Sequence, residues 1–170
     1  MITKEIVQGD LLYHVVHGLC RVDGIGKENQ SGREVLCYSL VPKMASKMKV
    51  RFAVSVVDLQ ASGFHAPVSL KEAHEILGYL RAGVLTAATA DDQAWVLAKA
   101  ILSSSRDNLE FKDARKRQML ERSAKGLVGE LAFVLKVTLK EMAASVQKSL
   151  GNASQISPTV LDALANAGKD

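Results

Sequence analysis

The hydrophobic period of this chain changes once, near Pro67, and that change limits what it can fold into. From about residue 5 to 60, apolar and polar residues alternate with the two-residue spacing of half-buried strands. After Pro67, Ser69-Leu70-Lys71-Glu72 reads as a capping box, in which a hydroxyl and a carboxylate satisfy the free N–H groups of a helix start. Leu70, Ala73, Ile76/Leu77 and Leu80 then follow at helical spacing. Short strands followed by a run of helices predict an α+β chain: a small half-open β-barrel, then an all-α domain.

Expected strands cover residues 10–13, 18–25, 35–40 and 48–54, with a polar hairpin loop from Gly26 to Arg33 and a solvated edge or loop around Pro42, Lys43, Lys47 and Lys49. The first helix is expected to end at Gly83. A second box, Thr89-Ala90-Asp91-Asp92, opens a helix carrying Trp95, Val96, Ala98 and Leu102, which Ser103-Ser104-Ser105 and Asn108 break. One long amphipathic helix is expected from Lys112 to Leu150, with Met119/Leu120, Leu127, Leu131, Val134/Leu135, Met142 and Val146 on its apolar face. Ser157-Pro158 starts a last short helix before a frayed tail. The domains are therefore expected at 1–66 (barrel) and 67–150 (helical), with 151–170 a terminal helix and tail.

At 170 residues the chain can bury a real core. Its aromatic content of 5% and three prolines favour helix over an all-β sandwich. The net charge of +4 is concentrated: between Lys99 and Lys125 there are eight Lys/Arg against four acids. A local basic stripe of that kind fits a polyanionic partner better than the global charge does. Cys20 and Cys37 have no CxxC spacing and no signal peptide precedes them, so reduced, buried thiols in a cytoplasmic protein are expected. No apolar run approaches the length of a membrane span.

Catalytic constellations are missing. His14 and His17 are three residues apart, but no Cys or carboxylate nearby completes a tetrahedral site, which favours a structural role over metal binding. His65 and His74 are isolated. Gly24-Ile25-Gly26-Lys27 resembles the edge of a phosphate loop, yet the GxxxxGK[ST] spacing fails and no helix follows. Paired carboxylates, GxSxG and a Cys–His pair are lacking too. A small hydrolase or nucleotide-binding protein therefore finds no support, and no enzyme activity, cofactor, metal or small-molecule substrate is expected. Trp95, the single tryptophan, reads either as a core anchor, which is favoured, or as a wedge against unstacked bases. Lys99, Arg106, Arg115, Lys116, Arg117 and Arg122 read as phosphate contacts or as a solvated helix face.

This order of elements resembles the CarD/CdnL family of bacterial RNA-polymerase-binding transcription regulators, and its N-terminal part is similar to the polymerase-interacting domain of transcription-repair coupling factors. The residues that carry the likeness are Gly9-Asp10, Tyr13-His14, His17-Gly18, Val22, Ile25 and Tyr38-Ser39-Leu40. Further along they are Ser69-Leu70, Ile76-Leu77, Leu80-Arg81, Leu109-Glu110-Phe111, Met119-Leu120 and Leu127-Val128-Gly129-Glu130-Leu131-Ala132, so the likeness spans about residues 6 to 150. It implies a Tudor/SH3-like domain that docks on the RNA polymerase β subunit and a helical domain that contacts upstream promoter DNA. Arg51 falls where the family presents a basic contact to the polymerase, with Lys27, Glu28 and Arg33 of the hairpin expected beside it. Trp95 and the six cations above would then face DNA. The chain departs from the family pattern at Val15, where a proline is usual, and at Trp95, which is followed by Val96-Leu97-Ala98 in place of two arginines. The expected function is a transcription regulator that modulates promoter open-complex stability. The alternative is a polymerase-binding adaptor or competitor that no longer contacts DNA.

Overall fold

A computed structural model describes residues 5–43, 50–59, 61–84, 92–106 and 113–169. The chain divides into two compact units, Met1–Pro67 and Val68–Asp170.

The first unit is a four-stranded antiparallel half-barrel sheet in the order β1 (Leu11–His14), β2 (Gly18–Gln30), β3 (Arg33–Pro42) and β4 (Phe52–Ser55). Its core follows the two-residue period: Leu12, Cys20, Val22, Tyr38 and Leu40 point to one face, where Ile6, Leu59 and Phe64 cover them and Phe52, Val54 and Val56 pack alongside. The register slips once, between Val22 and Gly24, and makes Asp23 the extra residue of a β-bulge. Beyond the bulge the facing parity is reset, so Val22 pairs with Leu40 while Ile25, three residues on, pairs with Tyr38.

The polar stretch from Gly26 to Arg33 is strand rather than loop. Lys27, Glu28 and Asn29 pair with Leu36, Val35 and Glu34 across a ribbon that turns in two residues. Those residues, Ser31 and Gly32, have φ of 53° and 83°, the mirror-image turn that suits the strand twist. The expected start of the fourth strand at residue 48, with Lys47 and Lys49, lies outside the described residues.

The second unit holds α1 (Leu70–Ala82), α2 (Gln93–Arg106), α3 (Ala114–Leu135), α4 (Leu139–Leu150), a 3-10 turn (Ala153–Gln155) and α5 (Pro158–Ala167). The Ser69 capping box is present, and α1 ends at Gly83 in the left-handed conformation. Cap and packing divide the labour: the cap contributes about 1 kcal/mol and sets where the helix begins. Burial of Ile76 and Leu80 contributes roughly 1.5–3 kcal/mol each and sets which face turns inward. α3 packs against α2 and α5, and α4 against α1 and α5.

Three expectations are corrected in this unit. Ser103, Ser104 and Ser105 do not break α2, because the buried Ser105 returns its hydroxyl to the Leu102 carbonyl and the helix continues to Arg106. The single helix expected from Lys112 to Leu150 is two helices. Lys136 closes α3 in the left-handed conformation, and a second capping box, Thr138 with Glu141, opens α4. Met119, assigned to the apolar face, is 68% exposed. In α5, Val160 and Leu164 are buried, and Ser157 N–H donates to the Ser105 carbonyl at 3.2 Å. Thr89, Ala90 and Asp91 of the expected second box, Asn108, and the Leu109-Glu110-Phe111 stretch lie outside the described residues.

Candidate functional site

The bulge at Asp23 organises the outer face of the sheet. Its carboxylate accepts Arg51 Nη2 at 2.9 Å and Arg21 Nη2 at 3.4 Å, so residues from two strand segments converge on it. Both guanidinium groups remain in solvent, with the Arg51 side chain 65% and the Arg21 side chain 58% exposed. Such a pairing contributes at most about 1 kcal/mol to stability; its effect is to hold two arginines in one place. Gly9 N–H bonds the Val22 carbonyl at 2.8 Å, and Gln8 Nε2 bonds the Asp23 carbonyl at 2.7 Å, which fastens the chain entering β1 beside the bulge. Leu11, Arg21 and Val41 face one another across β1, β2 and β3 and, with Gly9, Pro42 and Lys43, line a shallow cleft.

Beside this cluster, among the described residues, no strand pairs with the outer margin of β4. Val56 N–H bonds the Leu36 carbonyl, which fixes the hydrogen-bonding phase of β3 and β4. By the antiparallel alternation, the peptide groups of Ala53 and Ser55 then point away from β3. The Ser55 carbonyl is taken by Asp58 N–H, leaving Ala53 with its N–H and carbonyl as the outward pair of a four-residue edge strand.

The predicted docking residues do not all gather there. Arg51 immediately precedes Phe52, which pairs with Leu40, whereas Lys27, Glu28 and Arg33 lie four to seven residues further along the ribbon, roughly 13–23 Å at about 3.3 Å per residue. Lys27 is occupied by Glu34 at 3.0 Å, and Glu28 and Arg33 are exposed. Arg21 and Asp23, which complete the Arg51 cluster, were not expected. Their signal in the sequence is the three-residue spacing of Val22 and Ile25, which breaks the two-residue period where the bulge sits.

In the helical unit Trp95 is 1% exposed and lies 5.7 Å from the Tyr79 ring, so it is a core residue and not an exposed wedge. Its Nε1 is buried without a hydrogen-bond partner. Lys99 is half-buried on α2. Arg106 ends α2 with its guanidinium over Gly83, in the space a side chain there would need, next to the carbonyl end of α1. Its position suits the negative end of that helix and separates it from the other cations.

Arg115, Lys116, Arg117, Arg122 and Lys125 are exposed on α3. Residues 115, 118, 122 and 125 recur at three- and four-residue steps, which puts Arg115, Arg122 and Lys125 on one outward stripe about 15 Å long. Among the described residues no ion pair joins these three, or Lys116, to an acid. The first turn of α3 contains no acid, although a helix N-terminus disfavours cations. The Asp113 cap, accepting Arg115 N–H at 2.8 Å, offsets them in part.

Among the described residues no group of three or more His, Cys, Asp or Glu could hold a metal ion, and no helix is long and apolar enough to cross a membrane. Cys20 and Cys37 are unbridged and buried; burial pushes both thiols up, with Glu28 adding to the effect at Cys37. His65 is not isolated: Tyr13 N–H bonds its carbonyl at 2.7 Å, its own N–H bonds the Tyr13 carbonyl at 3.0 Å, and the two rings meet edge to face. His74 is exposed on α1. No protein-family model matches the chain, and a search of curated proteins finds no match.

Proposed function

We propose that this protein is a cytoplasmic, non-enzymatic transcription regulator that docks on the β subunit of RNA polymerase and alters the stability of the promoter open complex. In this reading the sheet is a Tudor-like half-open barrel, as the likeness to the CarD/CdnL family implies. The observation that carries it is the Arg21–Asp23–Arg51 cluster beside the outward Ala53 peptide of β4. An open edge accepts a partner strand through its main chain, and two arginines held beside it suit a partner segment bearing carboxylates. The DNA contact falls to the exposed stripe of Arg115, Arg122 and Lys125 on α3. A regulator of this kind acts by binding one promoter state better than another, without chemistry of its own.

The test is co-purification of the full chain with polymerase subunits. Arg51→Glu is expected to abolish capture of the β subunit without lowering the melting temperature, since the Arg51–Asp23 pair is exposed. Undiminished capture by the variant removes the cluster from the interface. The burial of Trp95 favours a second reading, an adaptor that binds polymerase and leaves DNA alone. Binding of forked promoter DNA by the full chain at low salt separates the two.

A further inference from the structure

The ring of His14, the last residue of β1, acts as the turn-forming side chain between β1 and β2. Its Nδ1 accepts the backbone N–H of Val16 at 3.1 Å and that of His17 at 3.2 Å. Asn and Asp side chains supply the same kind of acceptor to nearby amides in tight turns. A ring nitrogen that accepts two N–H groups carries no proton, so the neutral ring is held as the Nε2–H tautomer. Nε2 faces the opposite segment, 3.1 Å from where a side chain on Gly63 would begin, with the Ser62 backbone on that same segment.

The surroundings oppose a positive charge. His17 stacks on His14 at 4.6 Å, and the Phe64 ring lies tilted against His14 at 4.7 Å. His17 in turn sits 4.3 Å from Phe52 of β4, which links the turn to the edge strand. The groups that act on a charge at His14 are His17 on its own turn, and His65 and the Ser62 carbonyl on the facing segment. The two histidines repel it and the carbonyl attracts it.

We propose that His14 is a proton-operated latch on the β1–β2 turn. A proton taken from solvent onto Nδ1 removes the acceptor of the Val16 and His17 amides, and the turn opens beside Phe52. Burial first, then His17, push the His14 pKa below its ordinary 6.5, and the Ser62 carbonyl offsets part of this. The opened chain therefore binds the proton more tightly than the closed one. The latch is at full strength above about pH 6.5 and is lost as the pH falls through the lowered value.

The test is backbone hydrogen exchange on the full chain at about pH 7.5 and about pH 5, corrected for the intrinsic pH dependence of exchange. Protection of the Val16 and His17 amides is expected to fall from the higher to the lower pH in the native protein, because the opened chain binds the proton more tightly. His14→Asn, whose Oδ1 accepts the same amides without titrating, is expected to lose none of its protection. Equal protection at both pH values in the native protein, or an equal loss in the variant, overturns the proposal. Ring nitrogen chemical shifts of the native protein test it without a substitution: the Nε2–H tautomer and a His14 pKa below 6.5 are expected, and the Nδ1–H tautomer or a higher pKa overturns it.

Discussion

Glu130 Oε1 accepts the Val68 backbone N–H at 3.0 Å from a side chain with no exposed surface. The bond joins the middle of α3 to the chain just before the Ser69 cap of α1, residues 62 apart in sequence. It fixes where the helical unit begins. Local signals could place the cap but not its anchor, because the anchor is a buried polar group that water cannot replace.

Glu130→Ala is expected to destabilise the helical unit by about 3 kcal/mol, since it leaves a buried N–H unsatisfied and a cavity behind it. Glu130→Gln keeps a carbonyl oxygen for Val68 and is expected to cost less than about 1.5 kcal/mol. Urea unfolding of the full chain measures both. Equal losses in the two variants would mean that the bond to Val68 is not the anchor.

Trp95 gives a second expectation. Trp95→Ala should cost about 3–5 kcal/mol, the usual range for deleting a fully buried aromatic. Trp95→Phe should cost about 1.5 kcal/mol or less, because it keeps most of the ring and discards an Nε1–H that is buried without a partner. DNA affinity measured on the Phe variant should match the parent. A large drop in affinity with unchanged stability would restore the wedge.

Lys136 closes α3 at φ 56° and ψ 43°, a conformation in which a side chain costs roughly 1 kcal/mol and glycine almost nothing. Lys136→Gly is therefore expected to stabilise the helical unit by up to about 1 kcal/mol, and Lys136→Val to destabilise it. Thermal unfolding checks the pair, and opposite signs are the required result.

That same residue divides what the apolar period alone reads as one long helix. The apolar period runs through both α3 and α4, and nothing in a lysine announces a left-handed cap. Thr138-Leu139-Lys140-Glu141 is a capping box of the same type as Ser69-Leu70-Lys71-Glu72, and it lies inside an apolar period that continues on either side of it. Signals confined to a few residues were legible: the Ser69 cap, the Gly83 stop and the Pro158 start all stand where local chemistry puts them. The hairpin of Lys27, Glu28 and Arg33 looked like a loop because its residues are polar, yet a two-residue turn at Ser31-Gly32 lets polar residues pair as strands. The Asp23 cluster and the His65–Tyr13 pairing were not legible, since each depends on partners brought together by the sheet.

The cations of α3 decide between the two functional readings. Arg115, Arg122 and Lys125 occupy an outward stripe, so replacing all three with Gln should leave the fold intact and remove the helix-dipole penalty at Arg115. Each phosphate contact contributes about 0.9 to the slope of log K against log salt on duplex DNA. The triple variant is therefore expected to bind forked promoter DNA more weakly and with a slope shallower by about 2–3. Capture of the polymerase β subunit should be unaffected, because the Arg51 cluster belongs to the other unit. If the parent binds DNA and the variant keeps both its affinity and its slope, the stripe is a solvated face. If the parent does not bind at low salt, the adaptor reading stands.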